Sequence, residues 1–123
     1  MRRMTIHTAG VTATAALEDN STADAIWEAL PITSRGNRWG GEVYFQIPVQ
    51  IAGADDARAV MEAGELGYWP PGSAFCIFWG PTPASRGDEI RAASPVNPFG
   101  RLEGAPAAFD PVPDGAEIRL ERA

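Results

Sequence analysis

Lysine is absent from this chain, and all ten basic residues are Arg. Histidine and cysteine occur once each, as His7 and Cys76. Each scarcity removes a class of chemistry. Without Lys there is neither a Schiff-base lysine nor a phosphate-loop lysine. One His and one Cys cannot build a Cys/His zinc centre. The carboxylates around Asp55 and Asp56 match no calcium-loop spacing, so no metal and no cofactor is expected. A single Cys closes no intramolecular disulfide and gives no sign of an oxidising compartment. No apolar run approaches the roughly 18 residues of a membrane-spanning helix. Arg2 and Arg3 are followed by a Thr-rich alternating stretch rather than an apolar signal core. The expectation is a cytoplasmic protein.

What remains is a chain of 123 residues, 45% apolar, with a formal net charge of −6. That length predicts one domain over 1–123, with enough buried surface for one real core. The acidic balance argues against nucleic acid and against an anionic membrane surface as partners. A small molecule or a peptide is the expected partner class.

Residues 4–9 and 11–17 alternate as two strands, with Gly10 at the turn between them. A helix is predicted over 22–30. Asn20 or Ser21 can cap it, Asp24 stands in its first turn, and Pro31 ends it. Residues 32–38 read as polar and irregular. After Gly40-Gly41 comes a strong strand, 42–47. Val43, Phe45 and Ile47 point one way, and Glu42, Tyr44 and Gln46 the other. Residues 57–63 fit a short helix or a strand. Glu65–Trp69 and the apolar run 74–79 read as strands around the hard turn Pro70-Pro71-Gly72. Asn97, Pro98 and Gly100 make 96–102 a broken strand. A helical turn at 105–109 and a strand at 117–121 close the pattern. Many short strands with one good helix indicate a small β-barrel or sandwich. Pro48 marks a strand edge, which with exposed aromatics would suit a homodimer.

Three segments are distinctive: Asn37-Arg38-Trp39-Gly40-Gly41-Glu42-Val43-Tyr44-Phe45, Gly67-Tyr68-Trp69-Pro70-Pro71-Gly72, and Cys76-Ile77-Phe78-Trp79-Gly80-Pro81-Thr82-Pro83-Ala84-Ser85. Together they resemble the prokaryotic cyclophilin-like family of small, largely uncharacterised proteins. The resemblance implies a mainly β fold, a closed eight-stranded barrel with one main helix over an open end. It favours strand for 57–63. True cyclophilins use an Arg that hydrogen-bonds the proline amide nitrogen during rotation. The spacing from Arg38 to Gln46 is similar to theirs. The Phe-Met pair between them is missing, Val43 stands where a pocket Phe is expected, and the only His is His7.

The residues themselves give a candidate site. An Arg–Glu pair beside a Tyr can hold a carboxylate or amide and move a proton. Arg38 and Glu42 are therefore the expected catalytic pair. Trp39, Tyr44, Gln46, Tyr68, Trp69 and the loop residue Arg86 are the expected ligand-binding residues. Trp79 and Cys76 lie in an apolar run and read as core, Cys76 as an inert thiol. Ser85 has no base partner legible in the sequence. Three functions follow in order: a binder of a small molecule or peptide, an enzyme acting on an amide or carboxylate, and a weak prolyl isomerase.

Overall fold

Alternating segments become ten strands in the computed structural model, which describes residues 2–123. They are β1 (Arg3–Thr8), β2 (Val11–Leu17), β3 (Ile32–Arg35), β4 (Asn37–Arg38), β5 (Glu42–Gln46), β6 (Arg58–Met61), β7 (Glu65–Trp69), β8 (Ala74–Phe78), β9 (Ile90–Glu103) and β10 (Glu117–Arg122). The helix α1 covers Ser21–Ala29, one residue earlier at each end than the sequence predicts. A 3-10 turn at Pro106–Phe109 matches the expected helical turn.

The antiparallel sheet runs β3-β10-β1-β2-β9-β7-β8-β5-β4, and β6 pairs with β9. The expected closed eight-stranded barrel is corrected on two counts. Among the described residues there are ten strands, and no ladder joins the two ends of the sheet. The reason lies in the segment 32–38, which is ordered rather than irregular. Its first part pairs with β10 and its last part with β5, with Gly36 between. The end strands β3 and β4 are consecutive in the chain, so they cannot fold back on one another. The polar composition of 32–38 misleads because the backbone ladders, not apolar side chains, fix it.

Strand β9 also departs from expectation. It is one strand of 14 residues running through Pro95, Pro98 and Gly100. The breakers are absorbed where the pairing slips. The register of β9 against β7 shifts at Phe99, and against β6 between Arg91 and Val96. Bulges are where a strand tolerates residues that cannot continue a regular ladder.

The main core takes one face of the sheet. Met4, Ile6, Phe45, Leu66, Phe75, Ile77, Phe99 and Leu120 meet there. Phe75 stacks on Phe45 at 4.9 Å and meets Phe99 edge-on at 5.0 Å. Such pairs add roughly 0.5–1.5 kcal/mol beyond their buried area. Helix α1 is capped by Asn20, whose Oδ1 accepts from the Ala23 amide at 2.9 Å, and it buries Thr22, Ala23 and Ile26. Asn97 is fully buried and satisfied. Its Nδ2 donates to Ala52 O and Thr22 Oγ1, and its Oδ1 accepts from the Ala54 amide. It thereby ties the loop after β5 to the sheet. Strand β6 is held by Arg58, which makes a two-pronged pair with Glu65 of β7; Glu65 also accepts from the Glu62 amide. Burial pushes the Glu65 carboxyl up, but the Arg58 bond, the amide and nearby Arg charge outweigh it and hold its pKa low.

Two outcomes are expected. Ala9 has φ 48° and Gly10 φ 80°, so the β1–β2 turn demands positive φ at both central residues. Ala9→Asn should stabilise the fold by about 0.5–1 kcal/mol, raising the thermal midpoint a few degrees. Arg58→Met should destabilise it by about 3 kcal/mol in urea unfolding, because Glu65 stays buried without its partner. An unchanged midpoint would show that β6 is held by its apolar contacts alone.

Candidate functional site

A strand presents alternate side chains to opposite faces, so β5, β8 and β7 each have a second face. Glu42 and Tyr44 occupy it on β5, Ala74, Cys76 and Phe78 on β8, and Trp69 on β7. In the ladder Tyr44 lies opposite Cys76, and Glu42 opposite Phe78. This face is covered too. β6 and the first half of β9 lay Met61, Ile90, Ala92 and Val96 over it, forming a second apolar cluster edged by Tyr44 and Trp69. The cover stops short of Glu42. A cavity of about 90 Å³ remains, lined by Trp39, Glu42, Tyr44, Trp69, Cys76 and Val96, with Ala92 and Ala93 at its β9 side.

Local geometry fixes its walls. The Gly41 amide donates to Pro81 O at 2.8 Å, and Gly41 O accepts from the Trp79 and Gly80 amides at 2.9 and 3.1 Å. A Cβ on Gly41 would overlap the Gly80 main chain, so only Gly permits this crossing. The Trp39 amide then donates to Glu42 O at 3.0 Å. The crossing thus sets Trp39 and Glu42 at the pocket. Trp69 is steered by its indole, which donates to Ser94 Oγ at 2.6 Å.

Glu42 is the unusual group. It is 4% exposed, and its Oε1 is sealed from solvent with no hydrogen-bond partner. Burial raises its pKa from 4.5 to about 7, with the neighbouring Cys76 thiol pulling the other way; the thiol's own hydrogen bond goes to Ala74 O at 3.8 Å. Cys76 is itself pushed well above its ordinary value, by burial first and then by the nearby Glu42 charge. It is a protonated thiol at neutral pH, which removes a thiolate nucleophile.

The structure brings Trp39, Glu42, Tyr44 and Trp69 together and leaves the other expected residues elsewhere. Arg38 does not pair with Glu42. Its Nη1 donates to Asp110 O at 2.7 Å and to Val112 O at 2.9 Å, and its Nε and Nη2 donate to Gly40 O. The guanidinium also lies over Trp79, 5.1 Å from the ring centre. Tyr68 faces the main core, fully buried; its hydroxyl donates to Val49 O and accepts from the Ile51 amide. Gln46 is exposed at the end of β5, and Arg86 is exposed in the loop before β9; neither lines the cavity. The Ser85 hydroxyl accepts from the Thr82 and Arg91 amides and staples that loop. Sequence reasoning missed the share of Cys76, Ala92, Ala93 and Val96 in the pocket. Period-two alternation within 74–78 could have put Cys76 opposite Phe75 and Ile77.

Among the described residues, no group of three or more His, Cys, Asp and Glu is placed to hold a metal ion. No helix among them is long and apolar enough to cross a membrane.

The chain belongs to the cyclophilin-like family, whose model matches residues 2–121. It is similar to the hypothetical protein AF2241 from Archaeoglobus fulgidus, known as a solution structure. The two are 37% identical, with a TM-score of 0.83, over 99% of this chain and 95% of that one. No curated protein matches the chain.

Glu42 makes stability depend on pH in a stated direction. Its folded pKa lies above the unfolded value of 4.5, so ionising it opposes folding. Stability should fall as pH rises from about 4.5 to about 7 and level off above. The loss is at most about 3 kcal/mol. Urea unfolding of wild type and Glu42→Gln at pH 5 and 8 measures it. The wild type should lose stability between the two, and Glu42→Gln should lose much less. Equal slopes would show that Glu42 is ionised in the fold throughout.

Proposed function

We propose that this protein is a binding protein that takes a small molecule, or one side chain of a peptide, into the cavity between Trp39, Tyr44 and Trp69. The observation that carries this is Glu42, a buried carboxyl that lines an aromatic cavity and whose Oε1 has no hydrogen-bond partner. An unmet buried polar group costs about 1–3 kcal/mol, and a ligand that supplies the missing donor recovers it. Binding sites combine apolar walls with a few placed polar groups in this way. At about 90 Å³ the cavity suits a small head group rather than a whole cofactor.

A second reading has one observation in its favour. A carboxyl titrating near 7 suits a general acid or base. In that reading Glu42 moves a proton on a bound substrate, and turnover follows a single ionisation near pH 7 that Glu42→Gln abolishes. A prolyl isomerase reading gains no such support. Every nitrogen of the Arg38 guanidinium already donates to a main-chain carbonyl.

Thermal shift with fragments of each charge type tests the binding reading, since a ligand of the native state raises the midpoint. A fragment that stabilises wild type should lose its effect in Ala92→Leu, which adds bulk at the buried β9 wall of the cavity. If the effect persists unchanged, the site lies elsewhere. In a coupled X-Pro isomerisation assay we expect the thermal rate. An acceleration that vanishes in Arg38→Ala would restore the isomerase reading.

A further inference from the structure

The binding reading leaves the ligand class open, and the chemistry of the walls narrows it. Three aromatic residues line the cavity: Trp39, Tyr44 and Trp69. The other walls are a thiol and small aliphatic groups, apart from Glu42. No basic side chain lines it. The cations on the surrounding elements are engaged otherwise: Arg58 with Glu65, Arg91 with Glu89, and Arg38 with main-chain carbonyls. A carboxyl set among aromatic side chains without a basic partner suits a cation, because ring faces carry negative charge density.

We propose that the cavity binds a small organic cation bearing an N–H, a primary or secondary ammonium group. Its N–H donates to the Glu42 carboxylate and its carbon atoms pack against Trp39, Tyr44 and Trp69. This proposal rests on the binding reading and names its ligand class. The buried carboxylate selects an N–H-bearing head, since a quaternary ammonium has no N–H to donate to it. An anion would face the Glu42 charge. A cavity of about 90 Å³ has room for an ammonium and a few carbons. Such a head belongs to a free amine or to a lysine side chain of a peptide.

Binding of this kind is coupled to a proton. The cation pairs with ionised Glu42, so affinity rises as Glu42 loses its proton. The other titratable groups in the lining are Cys76 on β8 and Tyr44 on β5. Burial keeps Cys76 neutral, so it adds no charge that competes.

Three probes of one shape and different charge test the proposal: tert-butylammonium, tert-butanol and pivalate. A fourth, a lysine blocked at both ends, separates the peptide source from the free amine. Each is titrated into the full chain, with the indole N–H resonances of Trp39 and Trp69 as local reporters. At pH 8 tert-butylammonium or the blocked lysine should bind at least tenfold more tightly than tert-butanol. Which of the two cations binds better names the source. Their affinity should drop by roughly tenfold or more at pH 5.5, as Glu42 takes up its proton. In Glu42→Gln, checked as folded by the dispersion of the same spectrum, the advantage over tert-butanol should vanish. If tert-butanol or pivalate binds as well as the cations at the two indoles, the cation proposal is overturned while the binding reading stands. If no probe moves either indole, both fall.

Discussion

Strand β8 is buried on both faces, and β5 and β7 beside it are covered on both over most of their length, and the site follows from that. A strand covered once can turn its polar side chains to water. A strand covered twice cannot, so every residue of 74–78 is buried. Glu42 stands on the second covered face, where water is excluded but the apolar cover is incomplete. Its displaced pKa, its orphan oxygen and the cavity are three expressions of one packing fact. The desolvation is tolerated because the carboxyl can take a proton near neutrality instead of carrying a buried charge.

The cover comes from strand β9, which serves two layers. Its later residues lie in the main sheet between β2 and β7, while its first residues pair with β6 over the second face. The register shifts let one strand do both. The walls of the cavity therefore belong to two layers, tied by the Arg58–Glu65 pair on one side and the Trp69–Ser94 bond on the other. Arg38, by contrast, works as a brace. It fastens the segment before β5 to the carbonyls of Asp110 and Val112, far along the chain.

Much of the frame was legible because alternation is local. Residues 42–47 sorted correctly into an inward Val43, Phe45 and Ile47 and an opposite Glu42, Tyr44 and Gln46. The same rule separates Tyr68 from Trp69, neighbours in sequence on opposite faces, although both were expected at the ligand. Pairing between distant strands was not legible. Nothing local says that Tyr44 meets Cys76, or that Arg38 reaches the region around Asp110. Proline and glycine in 95–100 pointed to a break, because their tolerance depends on bulges set by partner strands. The run 32–38 lacked an apolar pattern, because its order comes from backbone ladders to β10 and β5.

That run has a consequence for how the chain could vary. The seven residues 32–38 are both ends of the sheet at once, joined through Gly36. Side chains on a strand share a two-residue beat, so an insertion of one residue at Gly36 would leave β3 in step and put β4 out of step. Arg38 would exchange faces with Trp39, and the brace and the pocket wall would be lost together. The two termini of the sheet therefore hold a common phase. Length changes that an exposed loop absorbs freely would here be read by both ladders as a frameshift in space.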